Sequence, residues 1–503
     1  MGGRNKPGHD VMGVVVAGNA MTSGGSKEAK LAEQISRQIE RDVIALGCPV
    51  GHPLGSEAEL ALKYGVSRWI MREAFAITER DGLTEMRRGR TGGLVVAAPA
   101  DRAVAAAICN FLLLTRVDVD EMTRVRKVVD RVVYVLAASR LDDAYVAEAR
   151  ALLENPVGDT PMAQAAAIYD QILRFADNPF VGVFGVTLSK LTQCLVALHD
   201  LPGLETRTPT AISRRLLDIR RRQLECILGA DPSGAVEQAA AAADAWAEMF
   251  AQVPADPHPA TPAARARQAE RTARRIAEVL HPGKPPKLSA VIAMRIALDI
   301  VRGALRPGDS IAPEPELMAA YGVGRHVLRE AIRTLEHDGF VQTEVGRRGG
   351  LRVGAPSTGP VVRRVVDYLS LLPVSAADVD VLAGEILVLA AELAARRVQA
   401  QGPQVLGALP AAVQRLQTAA GADLDAARHA LRAALADVAG ATVIKLFVEV
   451  VAGLSGAARE APPIDQDALV VGSSHLEVAL RAGDALLARR AVAQIIAAEH
   501  NHK

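Results

Sequence analysis

The chain is 503 residues long, carries a net charge of +1, and is half hydrophobic with only 3% aromatic residues. Such a length implies more than one domain, and apolar content dominated by alanine and leucine favours helices. The near-zero charge excludes a global field that would draw in nucleic acid or membrane, so any nucleic-acid binding must come from a local basic patch.

Cys48, Cys109, Cys194 and Cys226 are far apart, form no C-x-x-C pair and leave the second half without cysteine. That pattern argues against a disulfide framework or a zinc site and fits a reducing cytoplasm. No segment reads as the roughly 18–20 apolar residues that a spanning helix needs.

In chain order, residues 1–26 read as a disordered leader, interrupted by one short apolar run from Val11 to Ala17. Leu31, Ile35 and Ile39 fall on one face of a first helix, and a loop with Gly47, Pro49, Gly51 and Pro53 follows. Ser56-Glu-Ala-Glu59 is a capping box that opens a short second helix, and Gly65 stops it. Ser67 caps a third helix over 68–80, whose Met71, Ala74, Phe75 and Thr78 make a core-facing stripe. Arg68 and Arg72 lie four apart on another face, where like charges repel. A solvated surface would tolerate that pair; a phosphate backbone would use it. After Gly82, LTEMRRGRTGGLVV predicts a two-stranded hairpin with Arg87, Arg88 and Arg90 near its tip. Together these elements predict a winged helix-turn-helix over 27–98, with the third helix entering the major groove and the hairpin lying on the backbone or minor groove.

An alanine-rich helical stretch covers 101–250, and the proline-bearing polar run after it predicts a linker over 252–287. The first unit then recurs. Residues 54–96 align with 311–353 without a gap and share 19 of 43 positions, among them Glu57/Glu314, Arg68/Arg325 and Arg72/Arg329. A second winged helix-turn-helix is therefore predicted over 288–356. It carries Arg325, Arg329 and Arg333 on one stripe, a core face of Leu328, Ala331, Ile332 and Leu335, and Arg347, Arg348 and Arg352 on its wing. Its caps are weaker, with Ala312-Pro313 and Gly324 in place of Ser56 and Ser67. A second helical stretch fills 358–503. The fold class is mainly α: two winged helix-turn-helix domains and two all-α bundles.

The string RPGDSIAPEPEL…YGVGRHVLREAIRTLEHDGFVQTEVGRRGGLRV resembles the GntR family of bacterial transcription regulators, and PLGSEAEL…YGVSRWIMREAF…DGL…RRGRTGGLVV resembles it too. Through LSKLTQ, YDQILRFADNP and LEVALRAGDALLARRAV, the helical stretches are similar to the effector (FCD-type) domain of the FadR-like subfamily. The resemblance implies operator contacts from Arg68 and Arg72 and from Arg325 and Arg329, flanked by Ser67, Trp69, Ile70, His326, Val327 and Arg333. It implies wing contacts from Arg88, Gly89, Arg90, Gly346, Arg347 and Arg348. An arginine that the family often carries after the glutamate of the second helix is replaced by Ala58 and Pro315, so one contact is lost in both halves.

Many relatives hold a metal through one Asp and three His. The matching positions are Ala166, Asp170, Arg220 and Ala242 in the first helical stretch and Arg428, Arg432, Ser473 and Ile495 in the second, so no metal and no other cofactor is expected. An effector-facing family arginine matches Arg126, and in the second copy the position holds Ala383. Arg126 is either an exposed helix arginine or the anchor of a small organic acid; an acyl-type effector would need no charged anchor. The expected partners are double-stranded DNA with two related half-sites and such an effector, with no membrane, and the chain acts as a pseudo-dimeric monomer or as a homodimer. The expected role is a cytoplasmic, ligand-responsive repressor, with no phosphate loop or nucleophile elbow to make an enzyme. The alternative is an architectural or assembly protein whose helical domains no longer bind an effector.

Overall fold

A computed structural model describes residues 21–45, 50–80, 82–87, 93–97, 101–198, 211–251, 262–281, 285–303, 305–344, 350–455 and 464–499. They divide into two units, 1–100 with 344–349 and 101–343 with 350–503.

The first unit runs α1 (Met21–Ala45), β1 (Pro53–Gly55), α2 (Glu57–Lys63), α3 (Arg68–Arg80), β2 (Thr84–Arg87) and β3 (Gly93–Val96). Helix α1 reaches into residues 21–26, which composition assigns to the leader. Gly24 and Gly25 each cost a helix about 1 kcal/mol; the buried face of Ala32, Ile35, Ile39 and Val43 carries it. The capping box forms: the Glu59 amide donates to Ser56 Oγ at 3.3 Å, and the Ser56 amide donates to Glu59 Oε2 at 2.7 Å. Gly65 sits at φ +66, the left-handed backbone a tight helix-to-helix turn needs and most residues resist. The predicted two-stranded hairpin is one strand short. The sheet order is β1-β3-β2, with Pro53 opposite Val95. Strand β1 covers an edge of the buried β3, which would otherwise show unpaired backbone. Tyr64 donates to Asp42 at 2.7 Å and so ties α2 to α1.

The second unit opens with a seven-helix bundle: α4 (Asp101–Leu114), α5 (Val119–Ser139), α6 (Asp143–Glu154), α7 (Pro161–Ala176), α8 (Pro179–Leu198), α9 (Ala211–Leu228) and α10 (Pro232–Ala251). Asp118, Asp142 and Thr160 cap α5, α6 and α7, the last with Pro161 in the first turn. One correction concerns α8. It is 20 residues long and apolar enough, by length and composition, to cross a membrane, contrary to the reading that no segment is. Of its most apolar 18-residue window 72% is buried inside the fold, and that is why it reads as continuously apolar.

The stretch read as a linker holds α11 (Pro262–Leu280). Ala269, Thr272, Ala273, Ile276, Ala277 and Leu280 are buried at i, i+3, i+4, i+7, i+8 and i+11, and α11 packs on α8 and α4. Alanine and threonine supply most of that face, so the segment scans as polar. Lys190 of α8 donates to the Val279 carbonyl at 2.7 Å and satisfies the C-terminal end of α11. Ile276→Ala should destabilise the chain by about 2–5 kcal/mol in urea unfolding; a loss below about 0.5 kcal/mol, usual for surface changes, would restore the linker reading.

Beyond α11 come α12 (Leu288–Arg302), β4 (Ser310–Ala312), α13 (Glu314–Tyr321), α14 (Arg325–His337), β5 (Val341–Thr343) and β6 (Leu351–Val353), in the element order of the first unit and with the sheet order β4-β6-β5. Helix α11 packs on α12 as well. Leu328, Ala331 and Leu335 are buried and Ile332 is half-buried. Tyr321 donates to Asp299 at 2.9 Å, the counterpart of Tyr64 and Asp42.

A second bundle closes the unit: α15 (Thr358–Ser370), α16 (Ala376–Gln401), α17 (Leu409–Thr418), α18 (Ala422–Ala439), α19 (Thr442–Ser455), α20 (Gln466–Arg481) and α21 (Ala485–Glu499). The two bundles meet through α5 with α16 and α8 with α19. Phe447 lies 5.4 Å from Phe180 and 4.7 Å from Phe184, Asn178 donates to the Asp378 carbonyl at 3.1 Å, and Arg131 pairs with Glu385. Glu121 of α5 accepts the Val443 amide at 2.5 Å and so caps α19 from the other bundle. Burial pushes the Glu121 carboxyl above its usual range, against the pull of the Val443 and Thr442 amides. An acid raised in the folded state charges more readily when unfolded, so this group costs stability as pH rises from its ordinary value through its folded one. Glu121→Gln keeps the acceptor and removes the titration. Urea unfolding should find it more stable than the parent at pH 8 and equal to it at pH 4; a less stable variant at pH 8 would contradict this.

Candidate DNA-reading helices and a buried charged pocket

Helices α3 and α14 present similar faces. Arg68, Trp69 and Arg72 are exposed on α3, as are Arg325, His326, Arg329 and Arg333 on α14. Trp69 is 46% exposed beside the two arginines. Ser67 caps α3 by accepting the Ile70 amide at 3.3 Å, whereas Gly324 gives α14 no side-chain cap. Ile70 is a correction. It is buried, one turn from buried Ala74 on the core side. Val327 is half-buried.

Sequence reasoning gave the repeated arginines only a DNA role. Arg72 Nε lies 2.8 Å from Glu57, and Arg329 grips Glu314 through two bonds of 2.9 and 3.2 Å, with Arg325 at 3.4 Å. These carboxylates offset the repulsion within each arginine stripe and hold the second arginine in place. The shared Glu57/Glu314 identity, fifteen residues upstream of Arg72 and Arg329, was the available signal. Exposed pairs of this kind contribute at most about 1 kcal/mol, so they orient more than they stabilise. Arg88, Gly89, Arg90, Gly346, Arg347 and Arg348 lie outside the described residues. Arg87 is exposed beside Glu85 at 3.2 Å, and Arg352 of β6 is half-buried and donates to the Gly308 carbonyl at 2.8 Å.

Arg126 is not the exposed helix arginine that one reading allows. It is 3% exposed and lines a cavity of about 230 Å³ in the first bundle. Helices α5, α7, α8, α9 and α10 wall the cavity with Arg126, Tyr169, Thr192, Arg220 and Trp246 among others. Arg126 donates to Thr192 Oγ1 at 2.6 Å and to the Leu188 carbonyl at 3.2 Å, and its Nε lies 3.5 Å from Asp130. Arg220 donates to Tyr134 and to Gln223 at 2.8 Å, and lies 3.9 Å from Asp130 and 4.3 Å over the Tyr169 ring. Tyr169 donates to Asp130 at 2.6 Å, and burial, then the Asp130 charge, keeps its hydroxyl protonated well above the usual tyrosine range. Two buried guanidinium groups thus face one buried carboxylate. Arg126 Nε and Trp246 Nε1 have no hydrogen-bond partner among the described residues. A wall with an excess positive charge and the unbonded Trp246 Nε1 suits a small anion with an apolar flank.

Sequence reasoning found Arg126 but not its setting. Asp130, four residues on, was a legible partner; Tyr169, Arg220 and Trp246 come from remote helices. No group of three His, Cys, Asp or Glu that could hold a metal occurs among the described residues.

Residues 288–351, from α12 through the start of β6, match the family described as "Bacterial regulatory proteins, gntR family". That segment is therefore similar to the helix-turn-helix of this family. This chain is similar to the HTH-type transcriptional repressor NanR of Klebsiella aerogenes, 37% identical over 88 residues, which cover 17% of this chain and 33% of that one. It is also similar to the galactonate operon transcriptional repressor of Escherichia coli, 26% identical over 203 residues, covering 37% and 88%. This chain spans about a third of the length of the NanR relative. Among solved structures, a Streptococcus agalactiae GntR is 19% identical with a TM-score of 0.31, covering 41% of this chain and 97% of that one. These relatives are regulators of transcription.

Proposed function

We propose that this chain is a sequence-specific, ligand-responsive transcriptional repressor of the FadR-like kind, in which two covalently linked GntR-type units read two related operator half-sites. The observation that carries the reading is the exposed arginine stripe at the N-terminal half of α14, within the segment that matches the family, with a similar stripe on α3. In this reading 27–98 and 288–356 are the readers, 101–250 and 358–503 the FCD-type bundles, and α11 joins the halves. The wing residues Arg88, Gly89, Arg90, Gly346, Arg347 and Arg348 supply backbone or minor-groove contacts. Linking two readers in one chain makes the second half-site encounter intramolecular.

A small organic acid, or an acyl chain with an acidic head, is the proposed effector, held by Arg126 and Arg220. Its binding would change DNA affinity by linkage, typically about 1–3 kcal/mol. The test is an affinity selection of fragmented genomic DNA, sequenced, at two salt concentrations. A motif with two related half-sites supports the reading. Enrichment without a motif, fading steeply with salt, would leave only backbone contacts and favour the architectural alternative.

A further inference from the structure

At the register of the first bundle's charged pocket, the described residues of the second bundle hold an ion cluster. Ala165, Tyr169, Ile172, Leu173 and Ala176 are buried along α7, and Ala427, Leu431, Ala434, Leu435 and Val438 are buried along α18 at the same spacing. In that register Ala166, on the pocket wall, corresponds to Arg428, and Asp170 to Arg432. Trp246 is the fifteenth residue of α10, and Glu499 is the fifteenth of α21. Where the first bundle has an open space between Ala166 and Trp246, the second has an ion cluster. Arg428 Nε lies 2.9 Å from Glu499 Oε1, Arg432 pairs with Glu499 Oε2, and Arg428 also meets Asp425 at 2.8 Å. Glu499 is 4% exposed, and the two arginines are what pair its buried charge. Burial pushes the Glu499 carboxyl up, but Arg432 and Arg428 hold it below its usual range, so it stays charged.

We infer that Glu499 is a built-in carboxylate ligand, which fills in the second bundle the place a small organic anion takes in the first. The chain then binds one effector and not two, and its second bundle stays in the liganded arrangement whatever the effector concentration. The one-effector count rests on the pocket reading of the proposed function; the Glu499 site stands without it.

The test is chemical rescue of full-length Glu499→Ala. Melting is followed in about 100 mM acetate and in chloride at the same ionic strength, beside the parent chain. In chloride the variant should melt lower by on the order of 5–10 °C. Acetate should return at least half of that loss in a saturable way and raise the variant more than the parent. The parent's own response reports the first pocket, so failure there would count against the effector reading alone. If the variant folds only in acetate, the inference holds equally. Equal acetate responses in both chains, no loss in chloride, or no folding in either salt would overturn it.

Discussion

Replacing Arg68, Arg72, Arg325 and Arg329 together with alanine is expected to abolish recovery of a sequence motif from genomic DNA while leaving the fold intact. All four side chains are exposed, so their loss removes no core contact. Each arginine that grips a base edge discriminates by about 1–3 kcal/mol, so the pair in one reader contributes on the order of 3 kcal/mol, more than 100-fold in affinity. Fluorescence anisotropy on the selected operator, with either pair replaced alone, should show a loss of that size for each. Unchanged circular dichroism would exclude unfolding. A pair variant that binds the operator as tightly as the parent would remove that reader from the mechanism, and two such variants would remove the proposal.

Asp130→Ala is expected to have the largest effect on stability. The Asp130 side chain is fully buried and is the carboxylate that faces Arg126 and Arg220, which are 3% and 5% exposed. Removing it leaves two buried guanidinium groups uncompensated, a loss of about 3–5 kcal/mol in urea unfolding. Replacing all three with apolar residues of similar volume should recover most of that loss, because the cost lies in the unpaired charge. A loss under about 1 kcal/mol for Asp130→Ala would mean that the arginines are solvated and the pocket is not a buried, positively charged site.

The parts of the fold that local chemistry determines were legible. The Ser56 box, the Ser67 cap, the left-handed Gly65 and the core stripe of α3 follow from side chains within four residues of one another. What tertiary context decides was not. The α11 face is built from alanine and threonine, which carry little hydrophobic signal, and β1 is three residues long and exists only because β3 has an open edge. The α8 core helix matches a spanning helix in length and composition, and only its burial tells the two apart. Ile70 sits between the exposed Trp69 and Arg72 by number, yet the helix turns it inward. The pocket was the least legible element, since Arg126, Tyr169, Arg220 and Trp246 span 120 positions and only folding gives them one address.

The contact between the two bundles has a further consequence. When two copies of one chain associate about a two-fold axis, each residue must suit both sides of the seam, because any change appears twice. Here the two sides are different stretches of a single polypeptide. Glu121 reaches across to cap α19, while the return contact is made by the Asp378 carbonyl with Asn178. Each side can therefore change by itself, free of self-complementarity, and dilution does not separate them. That freedom is what lets one bundle keep an open, positively charged pocket while the other closes its own with Glu499.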